Sequence, residues 1–171
     1  MPAKTPREVF VTLLSDLRQN TERATKIYPE IAQNAQDPQI KEAVEARAFI
    51  ADRTLQKLDQ CFKLMNEQPV KLTGRVQDAF LEDFRKDLND IQSPVAKSLF
   101  ILAKLIHLTH ARIGEYVALI GAADLSGNYG VGVLLESCLA DKLAFVERNR
   151  RLMRHIVETK VAERKGAERA A

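Results

Sequence analysis

Two of the three histidines in this 171-residue chain lie close together in the stretch HLTHARIGEYVALIG, residues 107–121. His107 and His110 are three residues apart, a spacing that brings two side chains to the same side of a helix. Imidazole nitrogens arranged in this way could share a zinc or nickel ion. Two ligands do not complete a metal site, so we predict no resident metal and no other cofactor unless neighbouring elements supply further ligands.

The composition of the chain indicates a single all-α domain. Apolar residues make up 46% and charged residues 29%, whereas only seven glycines and six prolines occur. The net charge of +3 is too small to indicate nucleic-acid binding. Because no apolar run is long enough for a membrane span or a signal peptide, we predict a cytoplasmic protein with Cys61 and Cys138 as buried free thiols.

Three proline residues mark where helices begin. Thr5, Asp37 and Ser93 each precede a proline, the expected order of a helix cap and the first helical residue. The predicted helices are about 6–34, 38–66, 75–91, 94–122 and 129–162. Four long helices and a short crossing one predict a four-helix bundle over 6–162. A flexible N-terminus (1–5) and a flexible basic C-terminal tail (163–171) are expected on either side.

A polar residue interrupts the apolar stripe near the middle of each long helix. These residues are Thr21, Arg47, Thr109 and Lys142, and they could meet at one level of the bundle core. Di-iron carboxylate proteins hold their metals at that level with carboxylates and histidines. Here the four positions carry no carboxylate and two of them are cationic, so a divalent ion would be repelled.

Two interpretations of the buried cations remain open from the sequence. Arg47 could pair with a carboxylate of a neighbouring helix, and this is the interpretation that we favour. The candidate partners are Glu22, Glu115 and Asp141. Alternatively, Arg47 and Lys142 could bind a small anion in the bundle core.

The chain resembles the YciE/YciF-like family of bacterial ferritin-like proteins over about residues 6–157. The resemblance rests on LLSDL, on Pro29 inside helix one, and on QDPQIKEAVEARAF, LQKLDQCFKLMNEQP, HARIGEYVALI and LLESCLADK. The family resemblance implies metal ligands at positions where, of these residues, only His110 keeps its type. Thr21 stands where the family has a glutamate, Arg47 and Ile50 stand where it has a His and a Glu, and Thr109-His110-Ala111-Arg112 stands where it has Glu-His-Tyr-Glu. Helix five has Lys142 in LADK where the family has an acidic cluster.

The resemblance therefore implies a ferritin-like bundle with a degenerate di-iron site. We predict a non-catalytic structural or interaction protein, linked to stress, that forms a homodimer and contacts an unknown protein partner. Phe80, Phe84 and Leu88, with apolar residues of helix four, are the predicted contact surface. One alternative is a ferritin-like oxidase, or an iron or manganese handling protein, that uses an atypical site near His107 and His110. The other is the small-anion binder.

Overall fold

A computed structural model describes residues 5–170, with only the backbone described at 75–77 and 169–170. Within this range the chain is all-α and has no strand. Its helices are α1 (Pro6–Asn34), α2 (Pro38–Met65), α3 (Arg75–Asp90), α4 (Pro94–Leu125) and α5 (Tyr129–Ala170). Four of the predicted residues of the flexible N-terminus, 1–4, lie outside the described residues.

Side-chain caps fix the beginnings of three helices. Thr5 forms a capping box with Glu8, in which the Thr5 hydroxyl accepts from the Glu8 amide and the Glu8 carboxylate accepts from the Thr5 amide. Asp37 accepts from the amides of Gln39 and Ile40, and Ser93 accepts from that of Ala96. Each cap satisfies amide groups that the first helical turn leaves unpaired, so the sequence fixes these three starts locally.

The four long helices surround one core. α1 packs on α2, α2 on α5, α5 on α4, and α4 closes the ring on α1, while the short α3 packs against α4. α5 lies between α2 and α4, so it packs both on the helix that precedes it in the chain and on the more distant α2. This arrangement confirms the predicted four-helix bundle with a short additional helix.

The interior consists of two apolar clusters with buried polar residues on the same helices. One cluster includes Leu14, Leu58 and Leu135, and the other includes Val44, Leu102 and Phe145. The buried polar and charged side chains are Ser15, Asn20, Thr21, Arg47, Thr54, Ser98, Thr109, Lys142 and Asn149. Burial of a polar side chain without a hydrogen-bond partner is costly, so these residues are the candidates for a functional site inside the bundle.

The structure differs from the prediction at the end of α5. The tail expected to be flexible at 163–171 is helical through Ala170, and residue 171 lies outside the described residues. Ion pairs one turn apart support this last segment, at 2.6 Å between Lys160 and Glu163 and 2.8 Å between Arg164 and Glu168. The sequence prediction required an apolar stripe, whereas local ion pairs and helix-forming residues also favour a helix.

Two further expectations concern α1 and α3. Pro29 lies inside α1 and does not end it. On α3, Phe84 and Leu88 are 5% and 4% exposed and pack into the core, so the prediction that they form a contact surface is wrong. The apolar face of α3 covers the bundle rather than a partner. No helix within residues 5–170 combines the length and the apolarity that crossing a bilayer requires.

Candidate functional site

The four polar interruptions of the helix stripes all face the interior. Thr21, Arg47, Thr109 and Lys142 are 5%, 1%, 3% and 6% exposed. The hydroxyl of Thr21 donates to the carbonyl of Leu17 at 2.8 Å, and that of Thr109 donates to the carbonyl of Leu105 at 2.7 Å. The hydroxyl protons of the two threonines are therefore used within their own helices, and neither threonine donates to Arg47 or Lys142.

Arg47 is the largest fully buried side chain among the described residues and lies against two aromatic rings. Its guanidinium carbon is 5.6 Å from the centroid of the Tyr28 ring and 5.5 Å from that of Phe145. The rings meet edge to face, with centroids 6.4 Å apart. All three nitrogens of the guanidinium lack a hydrogen-bond partner among the described residues, so its N–H groups are unused.

The prediction that Arg47 pairs with Glu22, Glu115 or Asp141 is therefore wrong. Each of these carboxylates lies beside a different cation nearer the surface. Glu22 is 3.3 Å from Arg18, Glu115 is 2.6 Å from Arg112, and Asp141 is 3.5 Å from Lys57. A carboxylate at a helix surface avoids the desolvation cost that pairing with Arg47 in the core would require.

Tyr116 lies near both buried cations. The ammonium of Lys142 is 5.8 Å from the centroid of the Tyr116 ring. Burial raises the pKa of the Tyr116 hydroxyl, with Cys138 as the next cause, while the charge of Arg47 acts in the opposite direction. The phenol oxygen is buried without a hydrogen-bond partner among the described residues. Arg47, Lys142 and Tyr116 thus form one electrostatic cluster, here named the central cluster.

Asn149 is a buried polar residue that the sequence analysis did not identify. Its side chain is 0% exposed, and neither its amide nitrogen nor its amide oxygen has a partner within the described chain. Asn149 follows Phe145 by four residues, the spacing of one helical turn, so it continues the inward face of α5. Helical spacing from Phe145 points to Asn149, but the next apolar residue at such a spacing is Leu152, so hydrophobic periodicity alone passes over Asn149.

The other residues at the metal-ligand positions implied by the family resemblance, and His107, lie away from the central cluster. Ile50 is half-buried, and Arg112 binds Glu115 at the edge of α4, with Asp16 of α1 3.9 Å away. His107 and His110 are both exposed, and the ring of His107 packs edge to face on Phe80 at 5.9 Å. Neither histidine points toward the bundle centre. No group of three or more possible metal ligands (His, Cys, Asp or Glu) occurs within the described part of the chain.

Cys61 and Cys138 are free and buried, as predicted from their place on apolar stripes. Burial raises the pKa of Cys61 to about 12 and that of Cys138 to about 11. Both groups therefore stay protonated at neutral pH, and neither supplies a thiolate that could act as a nucleophile or as an anionic ligand.

Comparison with solved structures identifies the fold. The Escherichia coli stress protein YciF matches with a TM-score of 0.87 and 18% identity, over 91% of this chain and 99% of that chain. YcfI from Rhodopseudomonas palustris, provisionally described as a structural protein, matches with a TM-score of 0.83 and 18% identity, over 87% and 95%. A protein from Xanthomonas campestris matches with a TM-score of 0.72 and 17% identity, over 94% and 99%. These similarities confirm the ferritin-like bundle.

Sequence comparison gives the family. No curated protein matches the chain. The family described as "Domain of unknown function (DUF892)" matches residues 5–162, nearly the whole helical region. Together with the structural similarity to YciF, this match confirms the YciE/YciF-like resemblance. The chain belongs to the DUF892 family of ferritin-like helical bundles.

Proposed function

We propose that this protein is a non-catalytic ferritin-like bundle whose di-iron centre is degenerate, and that it acts as a structural or interaction protein. The observation that carries the proposal is the buried guanidinium of Arg47, 1% exposed at a position where the family resemblance implies a metal ligand. An arginine stays protonated at any physiological pH, so its charge cannot be removed to accommodate a metal.

Electrostatics supports the absence of a metal from this centre. Two unit charges 4 Å apart interact by about 4 kcal/mol at an effective dielectric constant of about 20. A divalent ion beside Arg47 and Lys142 would meet such repulsion from both, and no described carboxylate of the central cluster offsets it. Hard divalent ions such as iron and manganese need anionic oxygen ligands, which Thr21 and Thr109 do not provide.

Metal analysis tests this proposal. Protein purified without chelators and then incubated with ferrous iron or manganese is expected to hold far less than one metal per chain after desalting. A matched His110→Ala variant is expected to give the same low value. Stoichiometric metal that is lost in His110→Ala would instead establish the alternative, a metal-handling protein or oxidase with an atypical site.

The proposal includes a homodimer and a role in stress, in the cytoplasm. The stress role follows the description of YciF, and the cytoplasmic location follows the two free thiols. Since α3 covers the core, we place the dimer contact at the other end of the bundle. The exposed apolar side chains there are Leu64, Leu125, Tyr129 and Val133, with exposed fractions of 62%, 93%, 68% and 65%.

Sedimentation analysis tests the dimer. Wild-type protein is expected to sediment as a dimer, and Leu125→Glu is expected to shift it to monomer because a charge would be buried in the contact. Phe49→Glu is the matched control, because Phe49 is 64% exposed but lies on α2 away from this end. A monomeric wild type, or equal loss in both variants, would contradict this assignment.

A further inference from the structure

The central cluster carries positive charge without a compensating anion among the described residues. Arg47 and Lys142 are 1% and 6% exposed, and the carboxylates predicted to neutralise Arg47 are paired with other cations. The hydroxyls of Thr21 and Thr109 donate to their own helices. The bundle centre therefore has an excess of positive charge and contains hydrogen-bond donors without acceptors.

These donors are of three chemical kinds. They are the three nitrogens of Arg47, the phenol of Tyr116 and the amide of Asn149, all buried and without partners in the described chain. The carbonyls of Leu17 and Leu105 already accept from the hydroxyls of Thr21 and Thr109. Water or an external anion can satisfy the remaining donors, and of these two only an anion also offsets the charge of Arg47.

Stacking on aromatic rings does not compensate for the missing acceptor. A cation–π contact contributes about 0.5–2 kcal/mol, and Arg47 makes one with Tyr28 and one with Phe145. Leaving an ion buried without a counter-charge costs several kcal/mol. Lysine can lose its proton when buried, but arginine cannot, so the deficit at Arg47 persists at neutral pH.

We propose that the bundle centre binds one compact monovalent anion, such as chloride or a short carboxylate, against the guanidinium edge of Arg47. The rings of Tyr28 and Phe145 lie to one side of the guanidinium, and its N–H groups, which have no partner among the described residues, are the donors that an anion would meet. A compact, singly charged ligand fits this setting, because the cost of desolvating an ion rises steeply with its charge. The inference rests on the proposed function, in which no metal occupies this centre.

Thermal unfolding in matched sodium salts tests the proposal. Protein exchanged into a HEPES and gluconate buffer is titrated with chloride, nitrate, formate or acetate at constant ionic strength. We expect a saturable rise in Tm of about 3–6 °C at ten times the half-saturating concentration. Chloride and formate separate the two sources: a response to chloride alone indicates a halide site, and a stronger response to formate or acetate indicates a carboxylate site.

Two matched variants locate the effect. Arg47→Met is expected to lose the response, whereas Arg148→Met is expected to keep it, because Arg148 pairs with Glu42 at the surface at 3.0 Å. A surface groove of about 460 Å³ near Lys71 and Arg23 is a competing place for anions. Lys71→Gln is therefore expected to keep the response. Equal Tm shifts in Arg47→Met and wild type, or loss of the response in Lys71→Gln, would overturn the proposal.

A direct measurement keeps the proposal falsifiable if Arg47→Met does not fold. Wild-type crystals grown in sodium bromide are expected to show an anomalous peak at hydrogen-bond distance from Arg47, and its absence overturns a halide site. Absence of that peak together with no Tm shift from formate or acetate overturns the whole proposal. Metal analysis of the same sample separates the two failures. Bound iron refutes the proposed function, whereas metal-free protein without any anion response refutes this inference alone.

Discussion

Two polar regions of this bundle differ in how their hydrogen bonds are satisfied. On the flank of α1, Ser15 accepts from the amide of Val70 at 2.9 Å, and Gln19 exchanges hydrogen bonds with the amide and carbonyl of Leu72 at 3.0 and 2.9 Å. At the bundle centre, Arg47 and Tyr116 have no hydrogen-bond partner among the described residues. Both regions bury polar side chains of long helices, yet only the flank pairs them.

The difference follows from what each region faces. The flank faces the connection 67–74 between α2 and α3, whose extended backbone has free amides and carbonyls. The centre faces other helices, whose backbone groups bond within each helix. A short hydroxyl in such an interior can donate to a carbonyl of its own helix, as Thr21 and Thr109 do, whereas the other polar side chains need a side chain, water or a ligand as partner. Because of this contrast, the unpaired groups at the centre indicate ligand binding. The paired groups on the α1 flank instead hold the connection 67–74 against the bundle.

The largest effect is expected from Arg47→Met in a buffer without compact anions. Replacing a buried, uncompensated cation by an apolar side chain of similar length removes its desolvation cost. By analogy with buried charges replaced elsewhere, stability should rise by about 1–4 kcal/mol. Urea unfolding followed by circular dichroism measures this change.

Arg112→Met is the control for that prediction. Arg112 pairs with Glu115 and Asp16 at the edge of the bundle with 17% of its side chain exposed, so its replacement should lower stability by about 1–3 kcal/mol. Changes of opposite sign in the two variants would support the contrast between unpaired and paired cations. A loss of several kcal/mol in Arg47→Met would mean that stacking against the rings outweighs the cost of the buried charge.

Most of the fold could be predicted from the sequence because its determinants are local. Thr5, Asp37 and Ser93 act as caps where the sequence places them, and Ile40, Val44, Leu58 and Met65, which recur at helical spacing on α2, are buried. Spacing is a weaker guide on α4, where Leu105 and Leu119 are buried but the equally apolar Ile106 is half-buried. That helix is apolar on several sides, so periodicity alone leaves its rotation ambiguous.

The central site could be predicted only in part. The inward direction of Arg47 and Lys142 follows from helical spacing, and both are buried. The partners of Arg47 could not be deduced, because they depend on which rotamers bring rings or carboxylates close. Nothing in the spacing of Tyr28 and Phe145 indicates that their rings lie beside Arg47. Gln19 was missed as well, since an isolated glutamine gives no pattern in the sequence.

A smaller effect on stability is expected from Gln19→Ala on the flank of α1, where the polar side chains are hydrogen-bonded. This variant leaves the amide and carbonyl of Leu72 without their side-chain partner, and both hydrogen bonds are partly buried. Partial access of water should limit the loss of stability to about 1–2 kcal/mol. Gln19→Glu is the control, because it keeps the acceptor for the Leu72 amide but loses the donor, so its stability should fall between those of wild type and Gln19→Ala. Faster amide exchange at Leu72 in Gln19→Ala, with no change at the centre of α2, would localise the effect.

The smallest effect is expected where α3 joins α1 through a solvent-exposed ion pair. Both oxygens of the Glu30 carboxylate accept from Arg85 at 2.7 Å, and this hydrogen bonding lowers the pKa of Glu30 despite some desolvation. A carboxyl pKa that is lower in the folded state contributes stability above the unfolded pKa, and this contribution disappears as pH falls through the folded value. Arg85→Gln should therefore lower stability at pH 7 by less than about 1 kcal/mol, because the pair is exposed. The difference from wild type should disappear as pH falls through the folded pKa of Glu30, and Glu30→Gln should give the same pattern in urea unfolding. A difference that persists at low pH would mean that Arg85 holds α3 by packing of its aliphatic stem rather than by charge.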